Sequence, residues 1–301
     1  MKFSLRMIRR VSVRALQGMQ SSAPFFTRIG RNIPAISRGC KVFFASGVLA
    51  LTAVPAYGIE IVPHRAAYAF EVVEIDSRSG ITDISGGMTF EWADTCDGWS
   101  TDQRYLLRIT NEDGGEIVSQ SSSVNWESKD GRRLRFNSKR ERNGETVDLF
   151  RGEAVLDKAG GSGVARFSQP RDEEVDLPSG TRLPTDLTLL LMEQAARGEF
   201  NFQGLVFEGG EIETSQPVTN LTLPKRQPGK ESILEAPLGP NPVWPMFMAY
   251  FTRQNGDDIP ETEISLDIQE NGIVPGFTLN YGTFKLRARL ARIQALPAVK
   301  C

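Results

Sequence analysis

Along residues 65–167 the chain repeats one pattern: apolar and polar side chains alternate for a short run, and a cluster of turn-forming residues ends it. Period two with such punctuation builds antiparallel hairpins. The expected strands are 65–75, 81–92, 99–110, 116–126, 132–141, 146–156 and 164–167. Lys129-Asp130-Gly131 and Arg142-Asn143-Gly144 are hairpin turns by composition, and Gly160-Gly161-Ser162-Gly163 leads into the last strand of this series. Gly86-Gly87, inside the second run, predicts a bulge or a close backbone approach. Strands resume at 205–213, 217–223 and 246–251. Two more follow, with Thr262, Ile264, Leu266 and Ile268 sharing one face and Phe284, Leu286, Ala288 and Leu290 another. Five prolines in 225–245 predict a long surface connection. The fold class is all-β and mainly antiparallel.

The period changes once. After Leu183-Pro184, residues Leu187, Leu190, Leu191 and Ala195 recur at helical spacing, with Leu189, Met192 and Ala196 on the opposite side. Thr185 is suited to cap this helix and Gly198 to end it. A helix apolar on both sides is a buried one. Among strands, its economical place is inside a curved sheet.

The first 56 residues carry nine Lys/Arg and no Asp or Glu, then an apolar run over 42–54 ending in Val54-Pro55-Ala56. That run is short for a membrane span, so residues 1–56 read as a secretory signal peptide and 57–301 as a single β-rich domain with no transmembrane segment. Arg9-Arg10 lies some thirty residues ahead of the apolar run, too far for a twin-arginine signal, and Cys40 leaves with the leader. Removing it leaves 35 − 9 = 26 basic side chains against 37 acidic ones, a net charge of −11. An acidic exported domain is a poor partner for nucleic acid. Two cysteines remain, Cys96 and Cys301. If they pair, they close a loop of 301 − 96 + 1 = 206 residues, for which chain entropy gives about 5 kcal/mol of stabilisation.

Catalytic chemistry is scarce. The only histidine is His64, which excludes centres needing two, and no Gly-x-Ser-x-Gly elbow accompanies it. No catalytic, cofactor or metal residues are assigned. Glu173-Glu174 and Asp257-Asp258 are the carboxylate pairs a glycosidase would need, both in turn-like sequence. Asn220-Leu221-Thr222 matches a glycosylation sequon. Lys285, Arg287 and Arg289, with Arg133, Arg135 and Lys139 in the widest reading, form a basic stripe fit for an acidic partner. Pairing with Glu263 and Asp267 would instead make it an ordinary solvated face. Trp92, Trp99, Trp126 and Trp244 either line a groove or fill the core.

Val62-Pro63-His64-Arg65-Ala66-Ala67-Tyr68 after the leader, Cys96-Asp97-Gly98-Trp99, the helix start Leu183-Pro184-Thr185 and a last strand running into a C-terminal cysteine together resemble the envelope integrity protein B family of Gram-negative bacteria. The resemblance implies a periplasmic protein folded as a spiral-like open β-barrel around one helix, with a disulfide between Cys96 and Cys301. It also implies a role in keeping the cell envelope intact under stress, without known catalysis or cofactor. Two readings of function follow. One is a non-enzymatic maintenance protein acting on other periplasmic or envelope components. The other is a carrier for a lipid or other apolar ligand, which requires an apolar cavity beside the helix.

Overall fold

The computed structural model of the chain describes residues 59–227, 241–252, 259–297 and 299–301. The leader, Asp257-Asp258 and residues 228–240 of the proline-rich segment lie outside them.

Every strand expected up to residue 167 forms. These are β1 (His64–Ile75), β2 (Ile81–Asp94), β3 (Gly98–Asn111), β4 (Glu116–Ser128), β5 (Arg133–Arg142), β6 (Glu145–Leu156) and β7 (Gly163–Gln169). β8 (Glu173–Leu177), β9 (Thr181–Arg182), α1 (Pro184–Ala196), β10 (Asn201–Val206), β11 (Gln216–Thr222), β12 (Val243–Tyr250), β13 (Thr262–Gln269), β14 (Gly276–Asn280) and β15 (Phe284–Ala295) complete the order. All fifteen strands of the described residues share one sheet, ordered β8-β7-β6-β5-β4-β3-β2-β1-β15-β14-β13-β12-β11-β10-β9. It curls into a nearly closed barrel, open between β8 and β9. Among the described residues only the two-residue β9 pairs in parallel, with β10.

That order has one non-local join. β1 pairs with β15 from His64 opposite Ala295 to Ile75 opposite Phe284, whereas nearly every other ladder is a hairpin or joins strands consecutive in sequence. Two meanders therefore run outward from the β1–β15 seam. Gly86 and Gly87 are close approaches: a Cβ on Gly86 would collide with the Leu106 carbonyl, and one on Gly87 would lie 2.6 Å from the Tyr68 carbonyl oxygen.

Cys96 sits in the β2–β3 turn, its N–H donating to Asp94 Oδ1 at 2.8 Å, and its Cα lies 5.7 Å from that of Cys301, to which it is joined by a disulfide. Beyond β15, Leu296 N–H donates to the Pro63 carbonyl at 2.8 Å. The C-terminal tail thus passes the start of β1 and reaches the turn after β2. The cysteine pair fastens the end of the seam.

Four expectations change. The strand placed at 205–213 is β10, ending at Val206; the chain then turns inward, because Phe207 joins the core and Gly209, at φ +69°, packs on the ring of Phe136. Thr185 does not cap α1: the N-cap is Leu183, with no side-chain cap of its own. The proline-rich connection ends earlier than expected, since Pro245 lies within β12. Its carbonyl accepts from Leu223 N–H at 2.8 Å, beyond the last β11 pair, so its missing N–H falls where that ladder has ended. Finally, the alternative pairing of Lys285, Arg287 and Arg289 with Glu263 and Asp267 does not form, because the short β14 separates β13 from β15.

α1 has no exposed residue, and Leu187, Leu191, Met192 and Ala195 are buried. It ends in a Schellman turn, with Gly198 at φ +79° and Glu199 N–H donating to the Gln194 carbonyl at 2.8 Å. Away from the helix, Phe136, Phe167 and Phe207 pack edge to face, with centroids 5.1–6.3 Å apart, and close the β5–β8 side.

Replacing Cys301 with Ser should lower the unfolding free energy of the oxidised protein by about 2–5 kcal/mol, measured by urea denaturation. An unchanged midpoint would mean that the link does not constrain the unfolded chain.

Candidate functional site

Inside the barrel, beside α1, lies a partly open cavity of about 230 Å³. One wall is apolar. Tyr68, Met88 and Phe90 from β1 and β2, Met246 and Ile264 from β12 and β13, and Leu187 and Leu191 from α1 line it. Tyr68 is buried, its hydroxyl donating to the Val274 carbonyl at 2.8 Å, and burial raises the phenol well above its ordinary range. The wall formed by β4 and β5 is polar. Ser121, Ser123 and Asn125 alternate along β4, and Ser138 on β5 stands 3.3 Å from Ser123. Gln103 and Tyr105 on β3, hydrogen-bonded to each other, stand on the strand beside it.

Charged groups border the polar side. Arg140 pairs with Asp148 at 3.3 Å and Lys139 with Glu141 at 2.6 Å. Glu208, Glu211 and Glu213, from the segment that turns inward after β10, also line the cavity. Burial raises the Tyr105 and Tyr250 phenols, and the negative charge of Glu208 adds to both shifts. His64 lines the cavity too. It is 1% exposed, its Nδ1 donates to the Val62 carbonyl at 2.8 Å, and burial lowers its pKa. Burial therefore favours the neutral imidazole.

Glu127, at the inner end of the same β4 face, ties the helix to the wall. Its carboxylate accepts from Thr185 N–H at 2.8 Å and Asp186 N–H at 2.7 Å. Pro184 has no N–H to satisfy, and Leu187 N–H donates to Leu183, so the first turn has no orphan donor. A strand side chain thereby does the work expected of Thr185. Burial pushes Glu127 up to about 8, against the pull of the two amides. Gly131, in the β4–β5 turn at φ +64°, packs on Asp186, where a Cβ would lie 2.7 Å from Oδ1.

The remaining sequence candidates are spread over the barrel. The basic stripe faces β1: Arg289 bonds Glu71 at 2.7 Å and Lys285 meets Glu74 at 3.4 Å, while Arg287 stands opposite Glu71 in register. It is a paired surface, although with β1 and not with Glu263 and Asp267; Asp267 holds Arg226 at 2.7 Å, and Glu263 accepts from Asn280. Arg133, Arg135 and Lys139 lie on β5, five strands from β15, so the wider stripe is not assembled. Glu173 and Glu174 are successive residues of β8, alternate in facing, and bind Arg171 and Arg166 separately. Gly160–Gly163 is a hairpin turn. Asn220 is buried and donates to Thr222 Oγ1 at 2.8 Å, which leaves no free sequon. Trp92 lines the cavity and Trp244 is buried, while Trp126 lies in a separate groove with Arg135 5.2 Å from its ring. No cluster of three metal-ligating side chains occurs among the described residues.

The barrel and its sequence have known relatives. The EipB-like family model matches residues 55–297. The chain belongs to the EipB-like family. The cell envelope integrity protein EipB of Brucella abortus is 30% identical over 265 residues, covering 87% of this chain and 93% of that protein. The crystal structure of a beta-barrel-like protein of a domain of unknown function, also from Brucella abortus, superposes with a TM-score of 0.74 at 28% identity. It covers 79% of this chain and all of that one. The family resemblance in the sequence is thereby confirmed, and an envelope-integrity role is supported.

Replacing Glu127 with Ala should destabilise the fold by about 1–3 kcal/mol, because it leaves buried amide donors without partners. Glu127→Gln tests the proton. A raised carboxyl pKa means the folded state holds a proton that the unfolded chain has lost, so this stabilisation is complete below pH 4.5 and is lost as pH rises towards about 8. Denaturation across that window should show wild type losing stability relative to Glu127→Gln as pH rises; a flat difference would contradict the assignment.

Proposed function

We propose that residues 57–301 form a periplasmic domain released from its leader at Ala56, and that this domain maintains the cell envelope under stress without catalysing a reaction. Membership in the EipB-like family carries the reading. The outward faces of β1 and β15 agree with it: Arg65, Glu71, Arg287 and Arg289 point away from the core, as water-facing strands require and as the apolar band of a membrane barrel does not. No helix among the described residues is long and apolar enough to cross a membrane. An oxidising compartment would also keep Cys96 and Cys301 linked.

Action through other periplasmic or envelope proteins is the first form of this function. The cavity favours a second form, in which the domain carries a lipid or other apolar ligand. Deleting the gene should sensitise cells to detergents and cell-wall antibiotics, and the wild-type chain supplied in trans should restore resistance. Unchanged survival across several such stresses would refute the envelope role.

A further inference from the structure

We propose that the cavity binds one single-chain amphiphile, with its chain against α1 and the apolar wall and an uncharged polar head against the inner face of β4. This rests on the ligand-carrier reading and gives that ligand a chemical class and an orientation.

The inner face of β4 carries the inference. Period-two alternation places Ser121, Ser123 and Asn125 inside the barrel, where a packed interior would place apolar side chains. They are only half-buried, so they face open volume. Across that volume, six and seven strands away in the sheet, stand Ile264 and Met246, while Met88 and Phe90 on β2 continue the wall beyond β3; all four are buried. A pure hydrocarbon would strip the serine wall of water and give nothing back, at a cost of about 1–3 kcal/mol per unpaired group. A wholly polar ligand would gain nothing from the methionine and phenylalanine wall. An amphiphile satisfies both. Methionine adapts its shape to a flexible chain at low cost. Trp92 lines the same space, is 4% exposed, and has an indole N–H without a hydrogen-bond partner, a donor within the pocket's own wall.

The size suits one chain. An apolar cavity of about 150 Å³ holds a benzene-sized guest, so 230 Å³ gives room for a segment of one acyl chain.

The test is isothermal titration of the exported chain with monolauroylglycerol below its critical micelle concentration, with glycerol as the tail-less control and dodecane as the headless one. One saturable site is expected, about tenfold or more tighter than either control. Ser123→Phe narrows the polar wall, and Met248→Trp, at a cavity-lining position of β12, narrows the facing wall; each should weaken binding about tenfold at an unchanged thermal midpoint. Absence of saturable binding overturns the proposal, as does dodecane binding equally well or undiminished binding by both folded variants. Any of these results would leave the envelope role standing, since that role is read from cell survival.

Discussion

The ladder between β1 and β15 is the constraint on which the barrel depends. Strands close in sequence can find one another through short turns, but these two are separated by almost the whole described chain. Closing so long a loop costs entropy before any of its contacts form. Several features at the seam offset that cost. Tyr68 and Phe70 pack against Phe277, with centroids 5.2 and 6.4 Å apart, while Glu71 and Glu74 meet Arg289 and Lys285 on the outer face. The exposed ion pairs add only a few tenths of a kcal/mol each and serve chiefly to fix register. The Cys96–Cys301 link acts differently, since it limits how far the two ends can separate when unfolded.

A barrel this wide needs its interior filled, and α1 fills part of it. A helix inside a sheet brings unsatisfied backbone donors with it. Glu127 meets that requirement from β4, and its neighbours on the same strand face then become the polar wall of the cavity. The strand that anchors the helix is thus the strand that makes the interior amphipathic. Cap and cavity share one run of inward polar residues, from Ser121 to Glu127.

Much of this was legible in the sequence. Alternation and turn residues located β1 to β7, β13 and β15, and a change of period located α1. What escaped had physical reasons. β14 has two inward apolar residues, Phe277 and Leu279, too few to display a period. The segment after Val206 reads as a strand by composition, yet Phe207 finds better burial by turning inward. Pro245 reads as loop because proline cannot donate, and only the end of β11 makes it tolerable there. Glu127 was invisible because the apolar Val118, Val124 and Trp126 of β4 lie on the face opposite Ser121, Ser123 and Asn125, so alternation points the wrong side inward. The basic stripe was visible, but its acidic partner belongs to β1, and only topology brings the two strands together.

The central claim is that the β1–β15 seam closes the barrel and is fastened at its His64–Ala295 end. Hydrogen exchange followed by mass spectrometry, comparing the oxidised chain with Cys301→Ser, tests it most directly. The account predicts that peptides covering the start of β1 and the end of β15 lose protection first, while β5 to β7 keep theirs. Uniform loss across the barrel, or unchanged protection at the seam, would contradict it.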